Sequence, residues 1–458
     1  MPGTSCDLLV IGAGMAGLTA AARVALAGKS VTVVEVGDDV GGSARFAGYA
    51  WTAPDREVMA RHNPHGDPAL REALVDGFAG GVDWIRSVGV TVGPAQPILG
   101  FGQGHKFDTN HYLDTCKRLV LENRGKLLLR TETEELLTEG GQVVGIRVRG
   151  PGGAADIRTK NTLLATGGFQ GSKDLLARYV HPEAGSMPLR SNPNSVGAGL
   201  RLAQQIGAAT GADGAGFYGH LIPAGVEFRD SGDFVDLSLY YSEHALLFNT
   251  AGHRFVDETL GDHLTTMALL EQPGGRGLLV ADARVHREWM VASYVEGAVA
   301  VDKFTLASKR GGRVGVAEDL SEFEYLPDEW GYDGLAIAEQ IADFNNRARN
   351  QDPLIPGRSH HALPLDEPPY YLIEAAPAIT FPFYGVNIDA RARVLDPSGT
   401  PVGGLLAAGS DTGGLWNRAY AGGLATALVF GLAAGETVLA SPGSVTQPST
   451  CWSDDRRN

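Results

Sequence analysis

The stretch DLLVIGAGMAGLTAAARVALAGKSVTVVE, Asp7 to Glu35, decides the first half of the fold. Asp7 to Ile11 is a short apolar strand. Gly12, Gly14 and Gly17 follow as G-x-G-x-x-G and open an Ala-rich helical run to Ala27, and a second apolar strand, Ser30 to Val34, stops at the acid Glu35. Each glycine has a physical task. Gly12 lets the strand turn tightly into the helix, Gly14 lets backbone approach a pyrophosphate, and Gly17 lets helix and strand pack closely. Free N–H groups at the helix start face the phosphates. About twenty residues on, the Glu35 carboxylate accepts hydrogen bonds from a ribose hydroxyl pair and repels a 2'-phosphate. Strand, glycines, helix, strand and acid in this order predict a dinucleotide site, with Ala16 and Val36 as further contacts.

The rest of the chain is that of a globular enzyme. It has 458 residues, 43% hydrophobic and 20% charged, enough for two domains with real cores. A formal charge of −15 with no basic stripe argues against a nucleic-acid partner. Cys6, Cys116 and Cys451 are far apart and form no C-x-x-C pair, so neither a zinc site nor a disulfide framework is expected and no metal is predicted. Reduced thiols and an N-terminus running straight into a strand point to a cytoplasmic protein. Leu424 to Ala440 is apolar but short and interrupted by Gly431, Gly435 and Glu436, which predicts a buried helix rather than membrane insertion.

Further helices are expected over Asp67–Val88, Asp108–Asn123, Val196–Gly207 and Ala421–Ala440, and strands over Lys126–Thr133, Val143–Arg149, Asp156–Thr159, Val386–Asp389 and Leu405–Ala408. Residues 217–363 differ in composition, richer in aromatics and His, and read as a separate domain between a first part, 1–216, and a second, 364–441. The polar tail 442–458 is expected to be flexible.

A Rossmann fingerprint suits NAD or FAD equally, so later stretches discriminate. Gly41-Gly42-Ser43-Ala44, with Gly48 beyond, lies where backbone approaches the flavin side of a pyrophosphate. Thr166-Gly167-Gly168 makes a second close approach. Gly409-Ser410-Asp411 and Tyr420-Ala421-Gly422-Gly423-Leu424-Ala425 run from a strand through a glycine loop into a helix, whose N-terminus stabilises negative charge on a reduced ring. In this order, and with Leu247-Phe248-Asn249 and Arg254-Phe255-Val256-Asp257-Glu258 between them, these stretches resemble the flavoproteins of the fumarate reductase and succinate dehydrogenase family, which includes the 3-ketosteroid 1-dehydrogenases. The resemblance implies an α/β fold: a Rossmann-like FAD-binding domain with an inserted α+β capping domain, and FAD at their interface. Several branches attach FAD through a His in the loop after the double glycine. Gly41 to Gly48 contains none, so FAD is expected to be non-covalent.

The resemblance also places substrate groups. Where fumarate reductases carry a proton-donating Arg, this chain has Asp262 with His263 next. Tyr420 and Phe381 replace a second Arg and a His, and His220 falls near the remaining His. Such a site does not suit a dicarboxylate. Tyr420 ahead of the C-terminal glycines is instead similar to the 3-ketosteroid 1-dehydrogenases, where a Tyr donates to the substrate ketone; Leu424 departs from the glycine found there. The expected chemistry is desaturation beside a ketone. Tyr420 stabilises the developing enolate, a base removes the α-proton, and a β-hydride leaves to the flavin. Tyr241, His244 and Asp262 are the candidate bases. Phe101, Phe217, Phe381, Phe383, Tyr384 and Trp416 suit a flat cyclic ketone, a 3-ketosteroid or a smaller ring such as 4-oxocyclohexanecarboxylate, whose carboxylate meets Arg418. The alternatives are a reductase of an activated alkene or unsaturated acid fed by an outside electron donor, and a flavin-binding subunit or redox sensor. The electron acceptor is left open.

Overall fold

In the computed structural model the described residues are 5–211, 215–229, 232–293 and 299–441. The expected flexible tail and Cys451 lie outside them. The central sheet has six strands in the order Arg393–Leu395, Pro401–Ala407, Thr162–Leu164, Leu8–Ile11, Val31–Val34 and Lys126–Leu128. All neighbours are parallel except the first pair. Leu8–Ile11 and Val31–Val34 are buried on both faces, which is why both read as unbroken apolar runs.

Gly12 turns the first of these strands at φ +102°, and a Cβ there would run into the carbonyl oxygen of Ala165. A Cβ on Gly17 would strike the Gly12 carbonyl, whereas one on Gly14 would meet only the Gly41 oxygen, 4.0 Å away. The three glycines thus divide their tasks as expected: two serve packing and one keeps space open. Helix Met15–Leu26 follows the turn. It packs against the last helix, Gly423–Ala440, which also contacts Pro68–Ser87. Gly423–Ala440 has a mean hydropathy of 1.6 and, among the described residues, is the one helix long and apolar enough to cross a membrane; 61% of it is buried inside the fold. Its glycines are not interruptions. Gly431 sits against the Ala16 backbone, while Gly77 and Gly81 of Pro68–Ser87 admit its Val429 and Leu428. Helix starts follow their capping acids: Asp67 accepts from the Leu70 N–H ahead of Pro68, and Asp108 from that of His111.

The expected strand Lys126–Thr133 divides in two. Lys126–Leu128 joins the parallel sheet, and Glu132–Glu139 opens an antiparallel sheet with Gln142–Gly150 and Gly153–Thr159. The break falls at Arg130, whose φ is +50°. Tyr49–Thr52 pairs with Gly102–Phe107 in a small three-stranded sheet that carries Trp51.

The cap is built on a five-stranded antiparallel sheet of Phe217–Pro223, Tyr370–Pro382, Gly277–Ala281 and Leu246–Phe248, with Val314–Ala317 also paired to Tyr370–Pro382. Alternate residues feed two apolar cores, Leu247 and Leu279 on one face, Leu246, Phe248 and Leu278 on the other. This corrects the boundary expected at 363/364. The change of composition after residue 363 reads as the end of the cap, yet Tyr371–Ala375 pairs with Gly277–Ala281 inside the cap sheet. The same strand then continues along Phe217–Pro223 to Pro382, at the FAD-binding domain. Val386–Asp389 forms isolated bridges rather than a strand.

Candidate active site at the cap interface

The glycine turns gather at the carboxyl ends of the parallel strands, where open α/β sheets bind their ligands. Gly12 to Gly14 lies beside Gly41, joined by a bridge between Gly14 and Gly41. The Glu35 carboxylate accepts from the Ala13 N–H at 2.7 Å and the Gly37 N–H at 2.8 Å, so it is fixed at the edge of the turn, and Val36 beside it is exposed. Ser43 Oγ and Ser191 Oγ are 2.7 Å apart. Asp411 has a different task from the contact expected of it. Its buried carboxylate accepts from the N–H groups of Thr166 and Gly168 and from the Thr166 hydroxyl, so it clamps the Thr166–Gly168 turn rather than reaching outward. Gly409 packs on Ala16.

Next to these turns Phe381, Phe383, Ser410, Trp416 and Gly423 line a narrow cleft. The residues fit a flavin. The cleft has aromatic and glycine walls with a helix N-terminus at its edge, and the buried Trp416 Nε1 and Gln170 Oε1 have no protein partner.

Tyr420 stands at one side. Gly422, at φ +97° and tight under the Trp51 carbonyl, starts the helix Gly423–Ala440 so that the Gly423 N–H donates to the Tyr420 hydroxyl oxygen at 2.8 Å. The phenol proton is therefore free to donate onward. Burial pushes this hydroxyl up to about 12, so it stays protonated. The ring is enclosed by Trp51, Phe381 and Trp416 at centroid distances of 5.2, 5.7 and 5.4 Å, and stacks on Tyr218 at 3.6 Å. The loop before it is fixed by the fully buried Asn63, whose side-chain oxygen accepts from the N–H groups of Asn417, Arg418 and Ala419.

A polar chain leads from the cap to this ring. The Asp262 carboxylate accepts from Leu221 N–H at 2.9 Å and pairs with His220 Nδ1. The other ring nitrogen, Nε2, is 2.9 Å from the Tyr218 hydroxyl. A carboxylate only accepts, so Nδ1 carries the proton and Nε2 accepts from Tyr218. Burial, then Arg190, push His220 below its ordinary range and keep it neutral. Beside it, His263 Nε2 accepts from the Tyr420 backbone N–H at 3.1 Å. Burial lowers His263 to about 4, and its remaining proton sits on Nδ1, which is buried without a partner.

Several expected residues fall elsewhere. Tyr241 is in the cap core with Leu221, Leu239 and Leu279, because the short helical turn Tyr240–His244 sends its neighbour Tyr240 to the His220 ring instead. His244 stacks on Trp289 at 3.8 Å and lies with Glu243 and His361, whose ligand atoms with its own are all within 4.8 Å of one another. Tyr384 stacks on Tyr179 and meets the Thr210 hydroxyl at the domain junction, and Phe217 is buried in the main core. Arg418 is exposed; its backbone, not its side chain, is held by Asn63. Phe381 and Trp416 do line the cleft, and Leu424 and Ala425 begin the helix behind it. Tyr218, His263 and Asn63 were not singled out as site residues. Tyr218 had one signal, a spacing of two from His220 on a strand, which puts both on one face.

A two-domain fold with glycine turns at the sheet edge and a cap carrying polar groups onto the cleft defines a flavin-dependent oxidoreductase. Residues 7–426 match the family model described as FAD binding domain, and the chain belongs to that family. A probable fumarate reductase of Shewanella frigidimarina is 26% identical over 95% of this chain and 75% of its own length. The urocanate reductase of Eggerthella lenta is 26% identical with the same two coverages. Among solved structures, the 3-ketosteroid Δ4-(5α)-dehydrogenase of Rhodococcus jostii superposes with a TM-score of 0.76 at 19% identity, covering 96% of this chain and 97% of that one. An open flavocytochrome c3 fumarate reductase gives 0.70 at 23% identity, covering 95% and 78%. The protein is an FAD-dependent oxidoreductase acting on CH–CH groups.

Proposed function

We propose that this enzyme desaturates a cyclic ketone between its α and β carbons, with a ring of steroid type or a smaller oxocyclohexane. The observation that carries the reading is the Asp262–His220–Tyr218 chain ending on the ring of Tyr420. Tyr420 holds the ketone oxygen: its hydroxyl accepts from Gly423 N–H and donates its proton to the enolate as charge builds there. Tyr218 takes the α-proton while handing its own to His220 Nε2, and the Asp262 carboxylate stabilises the imidazolium, as in other base–orienter pairs. Bound FAD supplies the acceptor for the β-hydride. The aromatic walls of Trp51, Phe381 and Trp416 flank the ring and exclude water from the enolate. FAD is held without a covalent bond through Gly12–Gly17, Glu35, Gly41–Ala44 and Thr166–Gly168, and acid precipitation should release all of it.

The test is anaerobic mixing of the oxidised holoenzyme with saturated cyclic ketones of graded ring size, watching flavin absorbance. Bleaching by a ketone supports the reading. Absence of bleaching by every ketone, with reoxidation of the chemically reduced enzyme by an unsaturated acid, replaces it with an alkene reductase.

A further inference from the structure

Buried guanidinium groups are normally matched to carboxylates, because an unpaired buried charge is costly. Among the described residues the rule holds except at one place. Arg254 pairs with Glu258 at 2.6 Å, Arg358 meets the same carboxylate, and the partly buried Arg310 pairs with Asp233 at 2.6 Å. Arg190 is only 7% exposed and, among the described residues, has no carboxylate within ion-pair distance. Its bonds are to neutral oxygens, among them the Thr380 hydroxyl at 3.2 Å, the Phe234 carbonyl and the Tyr240 hydroxyl. Its Nε is buried with no partner.

The location is as informative as the charge. Thr380 precedes Phe381 of the cleft wall, and Ser191, next along the chain, meets Ser43 of the flavin-side glycine turn. Arg190 acts electrostatically on Tyr218, His220 and Tyr240. The nearby acid, Asp262, is already committed to His220 and the Leu221 N–H. A second cation, Lys303, sits over the Tyr240 ring at 5.4 Å, donating to the carbonyls of Val235 and Asp236. The carboxylates of Asp236 and Asp262 face Lys303, so Arg190 is the cation here held by neutral oxygens alone.

We infer that the ring substrate carries a carboxylate, and that Arg190 is the residue that binds it, its unpartnered Nε–H supplying one of the hydrogen bonds. The inference rests on the reading above for the ring and its ketone. It moves the anion site from the exposed Arg418 to a buried guanidinium, where a charge-assisted bond is stronger, and it favours an oxocyclohexane acid over a neutral steroid.

The experiment titrates the oxidised holoenzyme with cyclohexanecarboxylate and with its neutral isostere cyclohexanecarboxamide, following the flavin difference spectrum and the binding heat. Neither compound has a ketone, so binding is read without turnover. The carboxylate should bind about tenfold or more tightly than the amide. Arg190→Gln should remove that preference with FAD content unchanged, and Arg190→Lys should restore part of it. Equal binding of the two ligands in the unsubstituted enzyme, no binding of either, or equal weakening of both by Arg190→Gln overturns the inference; the first two need no variant to fold. A parallel ketone series separates the two readings. If 4-methylcyclohexanone reduces the flavin as readily as 4-oxocyclohexanecarboxylate, ketone desaturation stands and the anion site falls. If the carboxylate preference holds but no ketone reduces the flavin, the anion site stands and the reaction falls.

Discussion

Tyr420 shows how one side chain joins the two halves of the molecule. Its hydroxyl is tied to the helix N-terminus through Gly423, its backbone to the cap through His263, and its ring to Tyr218. Tyr420→Phe should leave FAD bound and lower the rate of anaerobic flavin reduction by about 10²–10³-fold; a near-normal rate would remove the ketone donor from the proposal. His220→Gln should cost about 10²-fold or more, with flavin content intact. The pH profile has a definite sign. His220 must be neutral to accept a proton, and its burial lowers its pKa, so flavin reduction should hold as pH falls to 6.5 and decline only below it. A limb lying above pH 6.5 would point to another base. Tyr420 was singled out in the sequence because a Tyr ahead of Gly422-Gly423 resembles the arrangement of the 3-ketosteroid 1-dehydrogenases. Tyr218 and His263 were not, since their roles depend on a stack and a backbone contact between segments roughly 150 to 200 residues apart.

Among the elements, the loop 417–419 gains its shape from a single distant side chain. Asn63 ends the short helix Arg56–His62, accepts from three successive loop N–H groups and donates to the Ala419 carbonyl at 2.9 Å. Asn63→Ala leaves these groups without partners and should cost about 2–4 kcal/mol in chemical denaturation. It should also lower the flavin reduction rate through displacement of Tyr420, whereas an unchanged rate would show that the loop holds itself. Helices were read well wherever a capping acid and an apolar stripe coincide, as at Asp67 and Asp108. The strand Tyr370–Pro382 was missed because its pairing partners, Phe217–Pro223, Gly277–Ala281 and Val314–Ala317, are distant in sequence.

Across the whole molecule, buried titratable groups couple stability to pH. His263 has a folded pKa of about 4 against an ordinary 6.5, so the unfolded chain binds more protons between those values. The stability contributed by keeping His263 neutral is fully present above pH 6.5 and is lost as pH falls toward 4. Thermal denaturation across this window should show the decline, and His263→Gln should flatten part of it; an unaltered slope would assign the effect to other groups. The cap depends on one carboxylate, Glu258, fully buried between Arg254 and Arg358. Glu258→Gln leaves two buried cations undercompensated and should destabilise the protein by about 3–5 kcal/mol, read as a lower unfolding midpoint of the holoenzyme.

What the sequence by itself determined is local. The turn at Gly12 to Gly17, the acid after the second strand, the later glycine stretches and the capped helices each follow from residues within one segment, whose backbone conformation and period are set by neighbours along the chain. Those features marked a dinucleotide site, and the family resemblance they carry pointed to FAD and a capped fold. The tertiary structure alone decided which polar groups meet. It linked Asp262 to His220 and Tyr218, sent Tyr241 into a core and Tyr384 to a domain junction, and buried Arg190 without a carboxylate. The reason is physical. A side chain's chemistry depends on burial and on partners within a few ångströms, and in this chain those partners come from segments distant in sequence that packing brings together, within the cap for Asp262, His220 and Tyr218 and across to the FAD-binding domain for Tyr420.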